Sequence, residues 1–260
     1  MSKTRLLAPM VALAATLFAA IPTAQPASGD LVVVAGANGR TGRLVVEQLV
    51  AGKWKVRALV RDAAKAGDLG AKGVEVKIAD VRDPKSLAAA LTGATYVISA
   101  IGASGGFKTA MGDGPQEVDF HGVSNLALAA KAAKVRQLVL ISSLSTSKAD
   151  SNPSAFMRPV LKAKFDGEQA LRASGVPYTV VRPGGLVDEP GGGSVAFGQG
   201  DTLSGRIPRA DVARVSIAAL GRKSALGKTF EIVSGEAQPP GDWDVRFAAL
   251  AADAPVTAAP

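Results

Sequence analysis

The chain has 260 residues, of which 47% are hydrophobic, and a formal net charge of +8. This length fits one α/β domain with short extensions, and this apolar fraction indicates a globular chain rather than a disordered one. The sequence contains no cysteine, which excludes disulfides, thiolate catalysis and cysteine-ligated zinc. Aromatic residues are only 5% and no run of Lys and Arg exceeds two. The positive charge therefore predicts a basic surface and no nucleic-acid partner.

The first 29 residues differ in composition from the rest of the chain. Lys3 and Arg5 precede an apolar stretch of 16 residues, Leu6–Ile21, and proline and small residues follow up to Gly29. This order is typical of a secretory signal peptide, and the stretch is short for a membrane span of about 20 residues. Three interpretations stay open: a cleaved export signal, an uncleaved membrane anchor, or an organelle-targeting segment. A membrane is a predicted partner only if this leader stays uncleaved.

From residue 30 to residue 236, apolar runs alternate with helical stretches, which predicts an α/β fold of the Rossmann type: a doubly wound parallel sheet with helices on both faces. Strands are predicted at Leu31–Ala35, Val56–Val60, Val74–Ile78, Tyr96–Ile101, Gln137–Ile141, Tyr178–Val181 and Thr229–Val233. Helices are predicted at Thr41–Val50, Ser86–Leu91, Gln116–Ala133, Arg158–Ser174 and Ala210–Leu220. The Ala/Pro-rich tail, residues 237–260, is predicted to hold one short helix at Val245–Ala251 and then to fray.

A glycine turn joins the first predicted strand to the first predicted helix. Gly36 permits a tight turn, Gly39 lets the backbone approach a pyrophosphate, and Gly42 lets the helix pack closely on the sheet. The positive end of the helix dipole then faces the phosphates. The residues of this turn predicted to bind a dinucleotide are Gly36, Asn38, Gly39, Arg40, Thr41 and Gly42.

The residue after the second predicted strand indicates which nucleotide is preferred. NAD-binding sheets place an acid there, whereas this chain has Arg61, followed by Asp62. A guanidinium can donate two parallel bonds to a 2′-phosphate, and Arg40 could reach the same phosphate from the other side. The sequence therefore predicts NADP(H), with NAD(H) still possible. The alternative is that Arg61 and Asp62 form a solvated surface pair.

Several segments in order resemble one family. They are GANGRTG at 36–42, LVRD at 59–62, ADV at 79–81, VRQLVLISSLS at 135–145, SGVPYTVVRPGGL at 174–186 and IPRADVA at 207–213. From Leu31 to Ser234 the chain looks like an atypical short-chain dehydrogenase/reductase of the NmrA-like NAD(P)-binding group. Its relatives include biliverdin and flavin reductases and chloroplast NADP-binding proteins.

The resemblance implies roles for further residues. Those expected to line the cofactor are Asp80 and Val81 at the adenine, Ser99, Ala100, Ile101 and Gly102 at the ribose and pyrophosphate, and Pro183 and Gly184 at the nicotinamide. Ser142 and Ser143 end the fifth strand, where the superfamily keeps its catalytic serine. Lys164 matches the lysine that holds the nicotinamide ribose. The proposed catalytic residues are therefore Ser143 and Lys164, and Ser142 is expected to contact the cofactor. Arg209 and Asp211 are expected to anchor a helix start.

One departure from the family pattern concerns the proton donor. The superfamily uses Tyr-x-x-x-Lys, but Val160 stands four residues before Lys164, and neither Tyr96 nor Tyr178 is followed by lysine at that spacing. Two functions stay open. One is an NADP(H)-dependent oxidoreductase that transfers a hydride to a small conjugated acceptor, with a proton from water. The other is a non-catalytic sensor, regulator or assembly factor with a protein partner. Lys164 has a plainer alternative too, an exposed helix pair with Glu168.

Four further points complete the prediction. Residues 102–106 fit G-x-S-x-G, but the one histidine, His121, follows too closely for a hydrolase. His121 is either a proton donor or, more simply, a helix-surface residue. No pair of potential ligands has metal spacing, so no metal is predicted. The glycine-rich loops at 102–114 and 185–205 are expected to lie over the substrate and could close as lids.

Overall fold

The computed structural model describes residues 29–103, 113–152, 154–235 and 242–255. Most of the predicted leader (1–28), residues 104–112 of the first glycine-rich loop and the last five residues of the tail lie outside these ranges. Within them, no helix combines the length and the apolar character needed to cross a bilayer.

The centre of the molecule is a sheet of eight strands in the order β3-β2-β1-β4-β5-β6-β10-β8, parallel except for β8. Its strands are β1 (Leu31–Ala35), β2 (Lys55–Val60), β3 (Glu75–Ile78), β4 (Tyr96–Ser99), β5 (Gln137–Ile141), β6 (Tyr178–Pro183), β8 (Val195–Gly198) and β10 (Lys228–Ser234). Two short parallel strands, β7 (Gly185–Val187) and β9 (Arg206–Pro208), form a second sheet.

Helices cover both faces of the large sheet, which confirms the predicted doubly wound fold. They are α1 (Arg40–Ala51), α2 (Pro84–Ala90), α3 (Gly122–Ala132), α4 (Met157–Ser174), α5 (Arg209–Ala219) and α6 (Trp243–Ala248). In β1, Val32 and Val34 belong to the core beneath α1, α5 and α6. Val33 and Ala35 belong to the core beneath α2, α3 and α4. A strand buried on both faces explains the uninterrupted apolar run of β1.

The strand order reverses between β1 and β4, because the chain winds one way to β2 and β3 and the other way to β5 and β6. The carboxyl ends of β1 and β4 lead directly to Gly36 and Ala100, which lie against each other. In open α/β sheets this switch point is where ligands bind. The fold therefore brings the glycine turn and the loop after β4 together at one edge.

The segment at 185–205 differs from the predicted free loop, because it contains β7 and β8. Its most glycine-rich part is also tied to α5: the Asp211 carboxylate accepts from the Gly192 N–H at 2.8 Å, and Arg214 donates to the Gly193 carbonyl at 2.6 Å. These strands and hydrogen bonds restrict the segment, and its closure over a substrate stays a prediction. The missed strands are three or four residues long, too short for a clear alternation of apolar residues.

The long helix predicted at Gln116–Ala133 begins differently from a regular α-helix. Its first six residues, Gln116–His121, form a π-helical turn, and α3 follows from Gly122. Here α4 approaches very closely, since a Cβ at Gly167 would lie 2.2 Å from the Asp119 carbonyl oxygen. Single π-helical turns often mark functional sites.

The tail contributes to the folded core beyond residue 236, the predicted end of the domain. Trp243 and Phe247 of α6 are buried with the side chains beneath β10. The Asp253 carboxylate then accepts hydrogen bonds from the Thr229 N–H at 3.0 Å and the Tyr178 hydroxyl at 2.9 Å. The short helix begins two residues earlier than predicted, and residues 242–255 of the tail pack on the domain.

Candidate nucleotide-binding site

The glycine turn has the geometry of a phosphate cradle. Gly36 has a φ of +77°, and a Cβ there would lie 2.7 Å from the Ala100 carbonyl oxygen. A Cβ at Gly42 would lie 2.1 Å from the Gly36 carbonyl oxygen, so α1 packs too closely on the turn for any side chain. Gly39 precedes the first turn of α1, which has no side-chain cap and no acid. Its free N–H groups and positive dipole fit a pyrophosphate.

A pocket opens from this turn at the switch point. The predicted residues in its wall are Gly36, Asn38, Gly39, Arg61, Asp80, Val81, Ala100, Ile101 and Gly102. Residues that the sequence did not single out complete it: Ala35, Leu59, Lys65, Ala79, Asp113 and Val118. Asp113 and Val118 lie just before and within the π-helical turn, and all the others lie at or after the carboxyl ends of β1, β2, β3 and β4, which meet at this edge. That they bind a nucleotide stays a prediction.

Charged side chains surround Arg61 on one side of the pocket. Arg61 donates to Asp113 at 2.9 Å, and Asp62 instead accepts from the N–H of Ala64. The suggested surface pair between Arg61 and Asp62 is therefore wrong. Arg82 bonds both the Asp113 carboxylate, at 2.6 Å, and the Asp80 carboxylate. The hydrogen bonds from Arg82 hold the pKa of Asp80 below its usual range. Asp80 is consequently charged at neutral pH.

Arg40 and Thr41 lie in the first turn of α1 but outside the pocket wall. The Arg40 guanidinium is largely exposed and pairs with Asp188 at 2.8 Å, in a surface depression that Arg209 also lines. The Arg40 guanidinium is thus engaged outside the pocket wall, and the expected contact of Arg40 and Arg61 with one 2′-phosphate stays a prediction. Arg209 also pairs with Asp188, which agrees with its expected anchoring role.

Lys164 lies beside the pocket with a partner that the sequence did not indicate. Its ammonium donates to the Asp119 carboxylate at 2.7 Å, and the other oxygen of that carboxylate accepts from the Ala103 N–H at 3.0 Å. Asp119 is 2% exposed and Lys164 is 18% exposed. A Cβ at Gly102, in the pocket wall, would lie 3.8 Å from the Lys164 ammonium. The lysine therefore stands at the edge of the pocket.

Glu168 is not the partner of Lys164, which corrects the suggested helix pair. Glu168 is fully buried and bonds Arg182 and the Ser142 hydroxyl, the latter at 2.6 Å. The Ser142 side chain is therefore engaged in the core, whereas Ser143, the next residue, is half-buried. Burial works to lower the pKa of Arg182, but its ion pairs with Glu168 and Asp201 outweigh that effect and raise it. Sequence reasoning missed this network because its members are far apart in the chain.

The remaining predicted residues lie at the ends of the central strands. Ser99 is fully buried, and its hydroxyl has no hydrogen-bond partner among the residues that the structure describes. Pro183 ends β6, and Gly184 follows it against the backbone of Gly205, with room for no side chain. All three residues lie at the edge of the sheet where the cofactor is expected, but none of them lines the pocket.

Neither tyrosine of the chain can replace the missing proton donor. Tyr96 packs edge-on against Trp54 in the core. Tyr178 donates to Asp253, and burial together with that carboxylate raises its pKa to about 12.

His121 is exposed, with its ring 4.5 Å from that of Phe120, as expected of a helix-surface residue. Across the described ranges, no group of acidic or histidine side chains is arranged to hold a metal ion.

Comparisons with known proteins identify the family of the chain. The family model for NAD(P)H-binding domains matches residues 36–223. The uncharacterized sugar epimerase YhfK of Bacillus subtilis is 32% identical over 79% of this chain and 94% of its own. Sanguinarine reductase of Eschscholzia californica is 32% identical over 78% of this chain and 88% of its own.

Solved structures and plant relatives extend the comparison. A Bacillus halodurans protein named as an NAD-dependent epimerase/dehydratase has a TM-score of 0.74, 28% identity and coverage of 85% of this chain and 100% of its own. These matches confirm the resemblance to atypical short-chain dehydrogenases/reductases. Further relatives from Pisum sativum and Arabidopsis thaliana are named as chloroplastic.

Proposed function

This chain belongs to the NAD(P)H-binding family, and from that premise we propose that it is an NADPH-dependent reductase of a small conjugated acceptor. The observation that carries the proposal is the Lys164–Asp119 ion pair at the edge of the pocket. An ammonium group fixed by a buried carboxylate beside the pocket supplies a positioned proton donor, which turnover requires and nucleotide binding alone does not.

Different residues of the pocket bind different parts of the nucleotide. The glycine turn with the first turn of α1 binds the pyrophosphate, and Arg61 and Lys65 face the 2′-phosphate. Asp80 and Val81 border the adenine. When bound, the nicotinamide supplies a hydride, which is the chemistry that the protein itself cannot provide. The chain contributes position, exclusion of water and a proton.

Lys164 takes over the proton transfer that a tyrosine performs elsewhere in the superfamily. An ammonium has three donors, of which Asp119 uses one, so two remain for the nicotinamide ribose and the acceptor. When the acceptor is a quinone or a flavin, the hydride leaves one negative charge on a conjugated heteroatom, which takes one proton from the Lys164 ammonium, and water then returns a proton to the amine. Ser143 donates a hydrogen bond to the same heteroatom. An iminium acceptor becomes a neutral amine when it takes the hydride and needs no proton.

The type of acceptor follows from this weak acid. A simple ketone develops a full negative charge on oxygen and needs a strong donor close by. A quinone or flavin spreads the incoming negative charge, so a lysine or water suffices as the acid, and a conjugated iminium needs no acid because the hydride neutralises it. The sanguinarine reductase among the relatives supports this class of substrate. Epimerisation, suggested by another relative's name, would require a base to oxidise an alcohol, and Val160 stands where that tyrosine would be.

A second candidate function is nucleotide binding without turnover. Val160 and the distant locations of both tyrosines favour it, because the usual acid is missing. In that case the chain is a redox sensor or an assembly factor, and a protein partner replaces the small-molecule substrate.

Turnover and binding measured together separate these functions. We expect NADPH oxidation with sanguinarine, menadione or flavin mononucleotide as acceptor. With menadione or flavin mononucleotide as acceptor, Lys164→Met should lower kcat about 100-fold or more, the usual size of a general-acid effect, and should affect sanguinarine less. Loss of the bond to the ribose should weaken NADPH binding by about tenfold at most. The control is Lys162→Met on the same helix, whose side chain is 52% exposed, and it should retain full activity. Binding without turnover of any acceptor would support the second function, and no binding would refute both.

The role of residues 1–29 forms part of the same proposal. The relatives named as chloroplastic favour organelle targeting over export or membrane anchoring. Fusing residues 1–29 to a fluorescent protein tests this interpretation. Import into isolated organelles with loss of the leader supports it, whereas secretion or membrane retention contradicts it.

A further inference from the structure

We propose that Arg82 and Asp113 determine the choice between NADPH and NADH: Arg61 and Arg82 bind the 2′-phosphate together, and Asp113 competes with that phosphate for both guanidiniums. This inference rests on the proposed function, because it assumes that the pocket takes a nicotinamide nucleotide. It goes beyond that function in assigning a second phosphate ligand and an internal competitor.

The first argument is that two guanidiniums converge on a single oxygen. One oxygen of the Asp113 carboxylate, Oδ1, accepts from Arg61 at 2.9 Å and from Arg82 at 2.6 Å. All three side chains are between 31% and 40% exposed, so solvent and ligands can reach them. A phosphate oxygen is an acceptor of the same kind and charge, and guanidiniums bind carboxylates and phosphates with similar geometry. The point where these arginines meet is therefore an anion site that Asp113 fills.

The second argument is the location of this point. Arg61 follows directly after β2, the position from which Rossmann sheets contact the ribose 2′ substituent. Arg82 is the residue after Val81, and Val81 is in the wall of the same pocket. The Arg82 guanidinium is fixed by the Asp80 carboxylate. Because Asp80 bonds the Nε edge of Arg82, the Nη1 group is directed at Asp113. Arg82 is therefore oriented before any ligand binds, which reduces the entropy lost on binding.

The third argument is the charge balance. Arg61, Lys65 and Arg82 supply three positive charges here, and Asp80, Asp113 and Glu117 supply three negative ones. With Asp113 in contact the cluster is neutral, and without it the cluster carries one net positive charge. A phosphate monoester carries nearly two negative charges at neutral pH, so the cluster attracts it once Asp113 withdraws. The 2′-hydroxyl of NADH carries no charge and cannot displace a carboxylate. Asp113 therefore weakens NADPH binding and leaves NADH binding unaffected.

The test measures binding rather than activity. Titration calorimetry gives the Kd of NADPH, NADH and adenosine 2′,5′-bisphosphate for the wild type, Asp113→Asn and Arg82→Met. The control is Asp68→Asn, another exposed aspartate paired with an arginine, but with Arg43 and away from the pocket. A thermal-unfolding scan of each variant verifies that it is folded.

We expect Asp113→Asn to tighten NADPH and the bisphosphate about tenfold, between the effects of an exposed ion pair and a charged hydrogen bond. Arg82→Met should weaken both by a similar factor, and neither variant should change the Kd of NADH. Asp68→Asn should change none of these values.

Different results overturn the inference and the proposed function. An Asp113→Asn variant whose NADPH affinity is unchanged, or whose affinities for both nucleotides change equally, would mean that Asp113 only holds the loop, and the inference is wrong. The same applies if Arg82→Met weakens both nucleotides equally. A wild-type chain that binds neither nucleotide instead refutes the proposed function and the inference with it.

Discussion

Replacing Asp119 with asparagine should destabilise the protein and slow its reaction, because Asp119 is the buried partner of Lys164. The carboxylate uses one oxygen for Lys164 and the other for the Ala103 N–H. An asparagine of the same shape has one acceptor and turns an NH₂ group toward one of these donors. Leaving a buried donor without a partner costs about 1–3 kcal/mol. Breaking a buried ion pair costs about 3–5 kcal/mol.

The net magnitude follows from the burial of the two side chains. Asp119 is 2% exposed, but Lys164 is 18% exposed and regains some hydration when its partner is lost. The lower part of the range therefore applies, and we expect the free energy of unfolding to fall by about 2–3 kcal/mol. The lysine also loses its fixed position, so kcat should fall about 10- to 100-fold. The Kd of NADPH should change little, since Asp119 is not in the pocket wall.

Urea denaturation and acceptor reduction, measured on the same preparations, test both effects. The matched control is Asp166→Asn, which breaks the more exposed pair with Lys162 on α4 and should cost less than about 0.5 kcal/mol. In a double-mutant cycle, adding Lys164→Met to Asp119→Asn should restore part of the lost stability. The reasoning is refuted if Asp119→Asn costs no more than the control and leaves kcat unchanged.

Three further predictions concern the nucleotide, the core and pH. Gly39→Val should abolish binding of NADPH and NADH in a folded protein, since its Cβ would lie 3.2 Å from the Gly36 carbonyl oxygen in the phosphate cradle; retained binding by calorimetry would place the phosphates elsewhere. Phe247→Ala should cost about 3–5 kcal/mol in urea denaturation, against a negligible effect of the exposed Val245→Ala. The Tyr178 hydroxyl should ionise with a pKa of about 12 in an ultraviolet titration.

The raised pKa of Tyr178 also has a consequence for stability. A pKa that is higher in the folded state than in the unfolded state means that folding favours the protonated hydroxyl. Its contribution is therefore complete below about pH 10 and is lost as the pH rises toward 12. Tyr178→Phe should remove that part of the pH dependence, and an unchanged profile would contradict the assignment.

The sequence predicted the parts of the site that depend on local pattern. The apolar run of β1, the glycines at 36, 39 and 42 and the helix after them lie within about twenty residues, and each has a local physical reason. Because parallel strands end at one edge, the residues after β2 and β4 could also be assigned to the pocket. Arg61 and Gly102 are therefore where the sequence placed them.

The interactions between distant residues could not be predicted in the same way. Asp119 and Lys164 are 45 residues apart, and their contact depends on a π-helical turn and on the close packing of α4 at Gly167. No periodicity in a single sequence reports a π-helical turn. The hydrogen bond from the Ser142 hydroxyl to Glu168 likewise could not be predicted, because it belongs to a buried network that joins the end of β5 to α4 and β6. The antiparallel β8 was missed because four residues in a glycine-rich stretch look like a loop.

The packing of α6 against β10 has a consequence for how the chain folds as it is made. The apolar surface of β10 that Trp243 and Phe247 cover is synthesised before the helix that covers it. β10 ends at Ser234 and α6 ends at Ala248, so at about 5–20 residues per second the helix follows the strand by about 1–3 seconds. The nascent domain therefore carries an incomplete core until α6 emerges. Chaperones that bind apolar surface have this interval in which to engage it.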